Sequence, residues 1–180
     1  MLTWTLCVCV FVCVFGAGSP LSCRWMDHKF TQFSENYLNL VDTMAHNSTN
    51  SSQDAGVAFP RELYSQVSKA AAEDKVSFTV QVLNEVETLF NKNHSLASWE
   101  EKTADDFIGV VNQQAEGLHS CIRSHSHKKH KKKLHMSFKR LSHVLDTMGH
   151  GAESWELIRK EVKAHLQRVD SLISSVLNAN

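Results

Sequence analysis

Residues 153–176, "ESWELIRKEVKAHLQRVDSLISSV", decide the fold class of this chain. Their apolar side chains return at alternating steps of three and four residues. This spacing places them on one face of an α-helix and leaves the charged side chains on the other faces. We therefore predict a long amphipathic helix from about Glu153, whose buried stripe consists of Trp155, Ile158, Val162, Leu166, Val169, Ile173 and Val176.

Similar stripes recur along the rest of the chain. Residues 61–180 contain no proline, the residue that most strongly interrupts helices. Ser98 and Glu101 have the spacing of a capping box, whereas Gly109 and Gly117 lower helix propensity for no reason visible in the sequence. The stripes predict helices at about 24–45, 60–72, 74–91, 98–123 and 132–148. With the last helix they describe an all-α bundle of about five long helices plus a short one.

The first 22 residues form a separate segment without a charged side chain. An apolar stretch runs from Leu6 to Phe15 and is followed by small residues and Pro20. It is about half as long as the ~20 residues that span a bilayer. This pattern is typical of a secretory signal peptide, which we expect to be cut between about 18 and 22. Residues 23–180 would then form the mature, extracellular domain.

Removal of that segment takes away three of the five cysteines and leaves Cys23 and Cys121. In an exported chain these two most simply form one disulfide. The bond would close a loop of about 100 residues and stabilise the fold by roughly 4 to 5 kcal/mol. Export also agrees with three sequons, which predict N-glycosylation at Asn47, Asn50 and Asn93.

The sequence contains no motif for catalysis. It has no glycine-rich phosphate loop, no nucleophile elbow, no H-E-x-x-H and no C-x-x-C pattern. The acidic pairs Glu100–Glu101 and Asp105–Asp106 lie near the start of a predicted helix, where negative charge favours the helix dipole. We therefore expect neither an enzyme nor a cofactor or metal site.

Two segments resemble the type I interferons. Residues 87–122, "ETLFNKNHSLASWEEKTADDFIGVVNQQAEGLHSCI", match the middle of that family, and "SWELIRKEV" at 154–162 is similar to its Trp-Glu-Val-Val-Arg-x-Glu-Ile run. Phe59-Pro60 resembles the Phe-Pro that ends the family's long first loop. The matching positions are Phe90, Trp99, Glu100, Glu101, Asp105, Phe107, Gln113, Gln114, Cys121, Trp155, Glu156, Leu157, Ile158, Arg159, Glu161 and Val162.

The resemblance covers about residues 23–172 and implies a long-chain helical cytokine bundle with up-up-down-down connections. Many relatives have four cysteines in two disulfides. Here "ESWE" stands where four-cysteine members place a Cys just before an Ala-Trp pair, so the chain looks most similar to the two-cysteine type I interferons of bony fish. Such a protein is a secreted antiviral cytokine that binds two different class II cytokine receptor chains and triggers JAK-STAT signalling.

The resemblance also implies two separate receptor faces. The high-affinity chain would meet the long loop and the last helix, through outward residues predicted as Arg159, Lys160, Lys163 and Gln167. The low-affinity chain would meet the opposite side, for which we name Thr88, Asp106, Asn112 and Gln113. The family's important basic residue in the long loop aligns near Asp54, so we do not expect that contact. We expect a monomer.

Residues 125–140, "HSHKKHKKKLHMSFKR", form a strongly basic run. The formal net charge of the whole chain is zero, which argues against a nucleic-acid partner. The resemblance places residues 123–133 in a loop between helices. Three interpretations remain open: a solvated loop, an accessory site for heparan-type glycans or anionic membranes, and a metal site at His125, His127 and His130. The accessory patch would consist of Lys128, Lys129, Lys131, Lys132 and Lys133.

Two other classes of function compete with the interferon interpretation. A cationic, membrane-active or heparin-binding host-defence protein would act through the basic run, and an isolated 123–145 peptide would keep that activity. Another helical cytokine, of the interleukin-10 class, would explain the bundle but not the Trp-Glu-x-x-Arg run.

Overall fold

The computed structural model describes residues 23–47, 56–92, 94, 97–123 and 128–179. This part of the chain contains α-helices and one short 3-10 turn, and it includes no β-strand. The predicted signal peptide and the sequons at Asn50 and Asn93 lie outside the described residues. The helices are α1 (Arg24–Thr43), α2 (Arg61–Ser68), α3 (Ala72–Phe90), α4 (Glu101–His119), α5 (Lys128–Met148) and α6 (Ala152–Leu177), with the 3-10 turn Met44–Asn47 after α1.

The apolar stripe of α6 lies at the centre of the bundle. All seven side chains of the predicted stripe are buried. They are covered by α1, α3 and α5, while α4 closes the structure by packing against α1 and α3. The short α2 lies against α3 and α5. The prediction of five long helices plus one short helix is therefore confirmed.

Two predicted helix starts are wrong. The helix expected from Ser98 begins at Glu101, with Glu100 in the N-cap position. The Glu100 carboxylate accepts a hydrogen bond from the Thr103 hydroxyl at 2.9 Å, so the capping box predicted at Ser98 is not formed. The helix expected from about Lys132 begins at Lys128, so the lysine run is helical and not a loop. Since lysine side chains have high helix propensity, the helix extends through them although their charge opposes its dipole.

A disulfide joins the start of α1 to the end of α4. Cys23, which immediately precedes α1, is bonded to Cys121, which follows α4. Their Cα atoms are 5.4 Å apart across a sequence separation of 98 residues. This is the bond that the cysteine count predicted.

Gly117 permits the close packing of α1 on α4. A Cβ atom at this position would overlap the six-membered ring of Trp25, which lies directly against the Gly117 backbone. Gly109, two turns earlier in α4, has open space where its Cβ would be. The glycine that the sequence left unexplained at 117 therefore has a packing role, and the one at 109 has none that the structure shows.

These two glycines predict opposite effects of the same substitution. Gly109→Ala should raise the free energy of unfolding by about 0.5 to 1 kcal/mol, because alanine has the higher helix propensity. Gly117→Ala should lower it by about 1 to 3 kcal/mol, because the Trp25 ring must move. Urea denaturation followed by circular dichroism measures both. A stabilised Gly117→Ala protein would show that the Trp25 contact imposes no constraint.

Candidate functional site

The outward flank of α6 is the surface to which the resemblance assigns the high-affinity receptor contact. Lys160, Lys163 and Gln167 lie within about 60° of one another around the helix axis, at 100° per residue. Lys160 and Gln167 are exposed and Lys163 is half-buried. The Lys163 ammonium donates to the carboxylate of Asp42 on α1 at 2.5 Å, so this flank borders the last turn of α1. We call these three residues the α6 strip.

Arg159 does not belong to this strip, and the prediction that it faces outward is wrong. The residue is buried, and its guanidinium donates to both carboxylate oxygens of Glu156, at 2.6 and 2.8 Å. Its third hydrogen bond reaches the carbonyl of Val41, in the last turn of α1, at 3.0 Å. Glu156 is buried as well. Arg159 lies only about 40° from Trp155 around α6, on the side that α1 covers.

The buried pair predicts a large stability effect at Arg159. Arg159→Ala should lower the free energy of unfolding by about 3 to 5 kcal/mol, because it removes both guanidinium hydrogen bonds from the buried Glu156 carboxylate and leaves the more distant Lys160 ammonium, 3.8 Å away, as its cation. Lys163→Ala, which removes a half-exposed ion pair on the same helix, should cost about 1 kcal/mol or less. Chemical denaturation of the two variants tests this difference. Equal, small losses would place Arg159 in solvent and restore it to the strip.

The other side of the α6 strip meets the end of the long loop. A shallow pocket there is lined by Phe59 and Arg61 from the loop end and the start of α2, and by residues of α6, namely Glu161, Ala164, Gln167, Arg168 and Ser171. The strip therefore lies between α1 and the loop end. Residues 48–55 of the loop, with Asp54, lie outside the described residues.

A buried tyrosine–histidine pair holds this loop end on α6. The Tyr64 hydroxyl of α2 lies 2.6 Å from Nδ1 of His165. The His165 ring also packs against Phe59 and Phe138, each at a centroid distance of 4.7 Å. Burial lowers the pKa of His165 to about 3 and raises the pKa of the Tyr64 hydroxyl. Both side chains therefore stay neutral at physiological pH.

The lowered pKa of His165 predicts a loss of stability in acid. Below about pH 6.5 the unfolded chain binds a proton at residue 165 that the folded protein does not bind until about pH 3. The contribution of this group to the free energy of unfolding should therefore fall by about 1.4 kcal/mol per pH unit between those limits.

Urea denaturation at pH 7, 6 and 5 measures this slope. His165→Phe should flatten it even if the variant starts from lower stability, whereas His143→Gln, at an exposed position on α5, should leave it unchanged. An unchanged slope in His165→Phe would contradict the assignment.

The four residues predicted for the low-affinity face are not brought into one patch. Asp106 and Gln113 are exposed and lie within about 20° of each other around α4. Gly117, which faces α1, lies on the same side of α4. Asn112 is half-buried and lies about 120° from Asp106. Thr88 is exposed on α3, and its hydroxyl donates to the Asn84 carbonyl.

The basic run forms the first turns of α5. Lys131, Lys132 and Lys133 are exposed, and Lys128 and Lys129 begin the helix. Lys132 and Lys133 line an open groove, together with Met136, Ser137 and Arg140 of α5 and residues 58–63. Arg61 thus lines both this groove and the pocket beside the α6 strip, a position that the sequence could not reveal.

The described residues include no group of three or more His, Cys, Asp or Glu side chains placed to hold a metal ion. His125 and His127 of the predicted metal alternative lie outside them. Within the same part of the chain, no helix combines the length and apolar character needed to cross a membrane.

Comparison with known proteins identifies the family of this bundle. The family model described as the interferon alpha/beta domain matches residues 26–176. The chain belongs to the interferon alpha/beta family. It is 36% identical to interferon a3 of Oncorhynchus mykiss over 178 residues, which are 98% of each chain. Its structure superposes on that of zebrafish interferon 1 with a TM-score of 0.75 and 28% identity, over 86% of this chain and 99% of the zebrafish chain.

The predicted family and fold are thereby confirmed. The protein is a fish type I interferon with the helical cytokine fold, and it is a cytokine and not an enzyme. Family membership implies that this interferon binds cytokine receptors. It also decides against the interleukin-10 class as the origin of the bundle.

Proposed function

We propose that this interferon acts outside the cell by joining two different class II cytokine receptor chains. Their association activates the receptor-bound kinases of the JAK-STAT pathway and antiviral transcription. The observation that carries the proposal is the α6 strip, which reaches the surface through exposed Lys160 and Gln167 and half-buried Lys163, on a helix whose opposite face is the centre of the core. A rigid helix presents its exposed side chains with little entropy to lose on binding.

The high-affinity chain would bind the α6 strip and the adjoining loop end. Lys160 and Lys163 present ammonium groups on this surface, paired with Glu156 and Asp42 within the protein, and an acidic receptor group could compete for them. The pocket between Phe59 and Ala164 offers a depression beside Gln167 into which a receptor side chain could insert. Arg159 would contribute indirectly, by holding α1 against α6.

The low-affinity chain would bind the side formed by α3, α4 and α5. Thr88, Asp106 and Gln113 remain our candidates because they are exposed, with Asp106 and Gln113 at the edge of this side next to α1. Asn112 is the weakest of the four because it lies on a different side of α4 and is half-buried.

Delivery to the receptors requires export. We propose that residues 1–22 are removed as a signal peptide and that the secreted protein carries N-glycans at the sequons. Asn47 lies in the 3-10 turn after α1. In the sequence it follows Asp42, the residue of α1 that borders the α6 strip, by five positions.

The direct test is a charge reversal within the strip. Lys163→Glu should weaken binding to the high-affinity receptor chain by about fivefold or more, because it places two acidic groups side by side and opposes an acidic partner. Surface plasmon resonance measures the affinity, and STAT phosphorylation in cells of the same species measures the response.

Lys69→Glu, at an exposed position just after α2, is the matched control and should bind and signal as wild type does. Unchanged affinity of a folded Lys163→Glu protein would remove the residue from the site. If folded, disulfide-bonded wild type gave no STAT phosphorylation at nanomolar concentration, the proposed function itself would fail.

We propose that the lysine run contributes to an accessory site for anionic glycans or membranes. Lys131, Lys132 and Lys133 project from the start of α5, where they neither enter the core nor support the helix dipole. A variant with all five lysines of the run neutralised should therefore still trigger STAT phosphorylation.

A further inference from the structure

Three adjoining depressions on the surface share the side chain of Arg61. The first is the groove between α5 and residues 58–63, and the second is the pocket beside the α6 strip. The third lies between α2, α3 and α6 and is lined by Arg61, Tyr64, Ser65, Ser68, Lys75, Arg168, Ser171, Leu172 and Ser175. Because Arg61 lies at the start of α2 and borders all three, the depressions are neighbours around that helix end, and we call them together the channel.

This channel is strongly basic. Among the residues that the structure describes, six cationic side chains line it and two acidic ones do, Glu62 and Glu161. The cations come from four different helices, so the charge is gathered by the fold and not by the lysine run alone. They are Arg61, Lys75, Lys132, Lys133, Arg140 and Arg168.

The pocket between α2, α3 and α6 has the composition of an oxyanion site. Three cations and four serine hydroxyls line it, without a carboxylate. The Lys75 ammonium donates to the Ser175 hydroxyl at 3.1 Å, which fixes one of these cations at the wall. The Tyr64 hydroxyl is already bonded to His165. The hydroxyls of Ser68, Ser171 and Ser175 donate to backbone carbonyls of their own helices. The three cations are therefore the groups that offer hydrogen bonds to sulfate or phosphate oxygens.

We propose that this channel binds a linear sulfated polysaccharide. The chain would run from the α5 groove, over Arg61, into the pocket between α2, α3 and α6. A polymer is required because Lys132 and Arg140 alone are separated by about 12 Å along α5, at 1.5 Å per residue. The apolar side chains of the α5 groove, Met136, Phe59 and Leu63, suit the C–H faces of sugar rings.

A polysaccharide fits this surface better than a membrane does. The cations line depressions around the start of α2 and belong to α2, α3, α5 and α6. A planar bilayer could contact one side of such a path at a time, whereas a flexible chain can follow all of it. The proposal is independent of receptor binding, although Gln167 lines the pocket next to Arg168 and links the two surfaces.

The experiment measures the affinity of the folded, disulfide-bonded protein for a size-fractionated heparin oligosaccharide. The channel variant combines Arg61→Ala, Lys75→Ala and Arg168→Ala, all outside the lysine run. The matched run variant combines Lys128→Ala, Lys129→Ala and Lys131→Ala, which removes the same charge and keeps the six cations named above. The channel variant should lose about tenfold or more in affinity and the run variant about threefold or less.

The salt dependence of heparin binding gives a second measure of how many channel cations take part. The slope of log affinity against log salt concentration should be shallower in the channel variant, because fewer counterions are released on binding. The double variant Lys133→Ala, Arg140→Ala, at the other end of the channel, should also have a shallower salt slope. It takes the place of the channel variant if the channel variant does not fold. Desulfated heparin of equal length should not bind.

Three results would overturn the proposal. The first is wild-type affinity in the channel variant with a large loss in the run variant, since the site would then be the lysine run alone. The second is equal binding of desulfated heparin. The third is tight binding of the wild type to vesicles of phosphatidylcholine and phosphatidylserine without binding to heparin, which would make the partner a membrane.

Discussion

The burial of the start of α6 on all sides is the constraint on which the rest of the bundle depends. Residues 154–159 are six consecutive buried positions, so no face of this part of the helix is left for solvent. Any charged group there must find its partner inside the protein, because an unpaired buried charge costs several kcal/mol. Glu156 and Arg159 satisfy each other, and the remaining guanidinium donor takes the carbonyl of Val41. The end of α1 is thereby held at one place on α6.

Further polar bonds orient the other helices on α6 in the same manner. Ser34 of α1 donates to Asp170, the hydroxyl of Tyr64 in α2 meets His165, and Lys75 of α3 donates to Ser175. Apolar stripes alone would allow helices to slide or rotate against each other, because hydrophobic attraction has no preferred direction. Each of these hydrogen bonds, by contrast, forms at one relative position of the two helices that it joins. Together they account for a single arrangement of α1, α2 and α3 around α6, and so for the position of the α6 strip relative to the loop end.

Helical periodicity was enough to predict the class of fold, the number of helices and most of the core. The two cysteines left after signal removal were enough to predict their pairing. Arg159 was assigned wrongly because helical periodicity gives the angle of a side chain around the helix axis but not its burial. The packing of α1 shows that the side of α6 at Arg159 is covered. Gly117 had no explanation without Trp25, which lies 92 positions earlier and reaches it only in the folded chain. For the same reason the cations around Arg61 could not be grouped from the sequence, since they lie on four helices.

The junction of α1 with α4 has a practical consequence for anyone who labels this interferon. The disulfide and the Trp25–Gly117 packing both anchor the first turn of α1 to the last turn of α4. From Cys23 the helix runs about 28 Å to Asp42, at 1.5 Å per residue. A fluorophore, a purification tag or a fusion partner joined ahead of Cys23 would therefore stand at the end of the molecule remote from Lys163. Attachment there should interfere with the α6 strip less than attachment within the long loop.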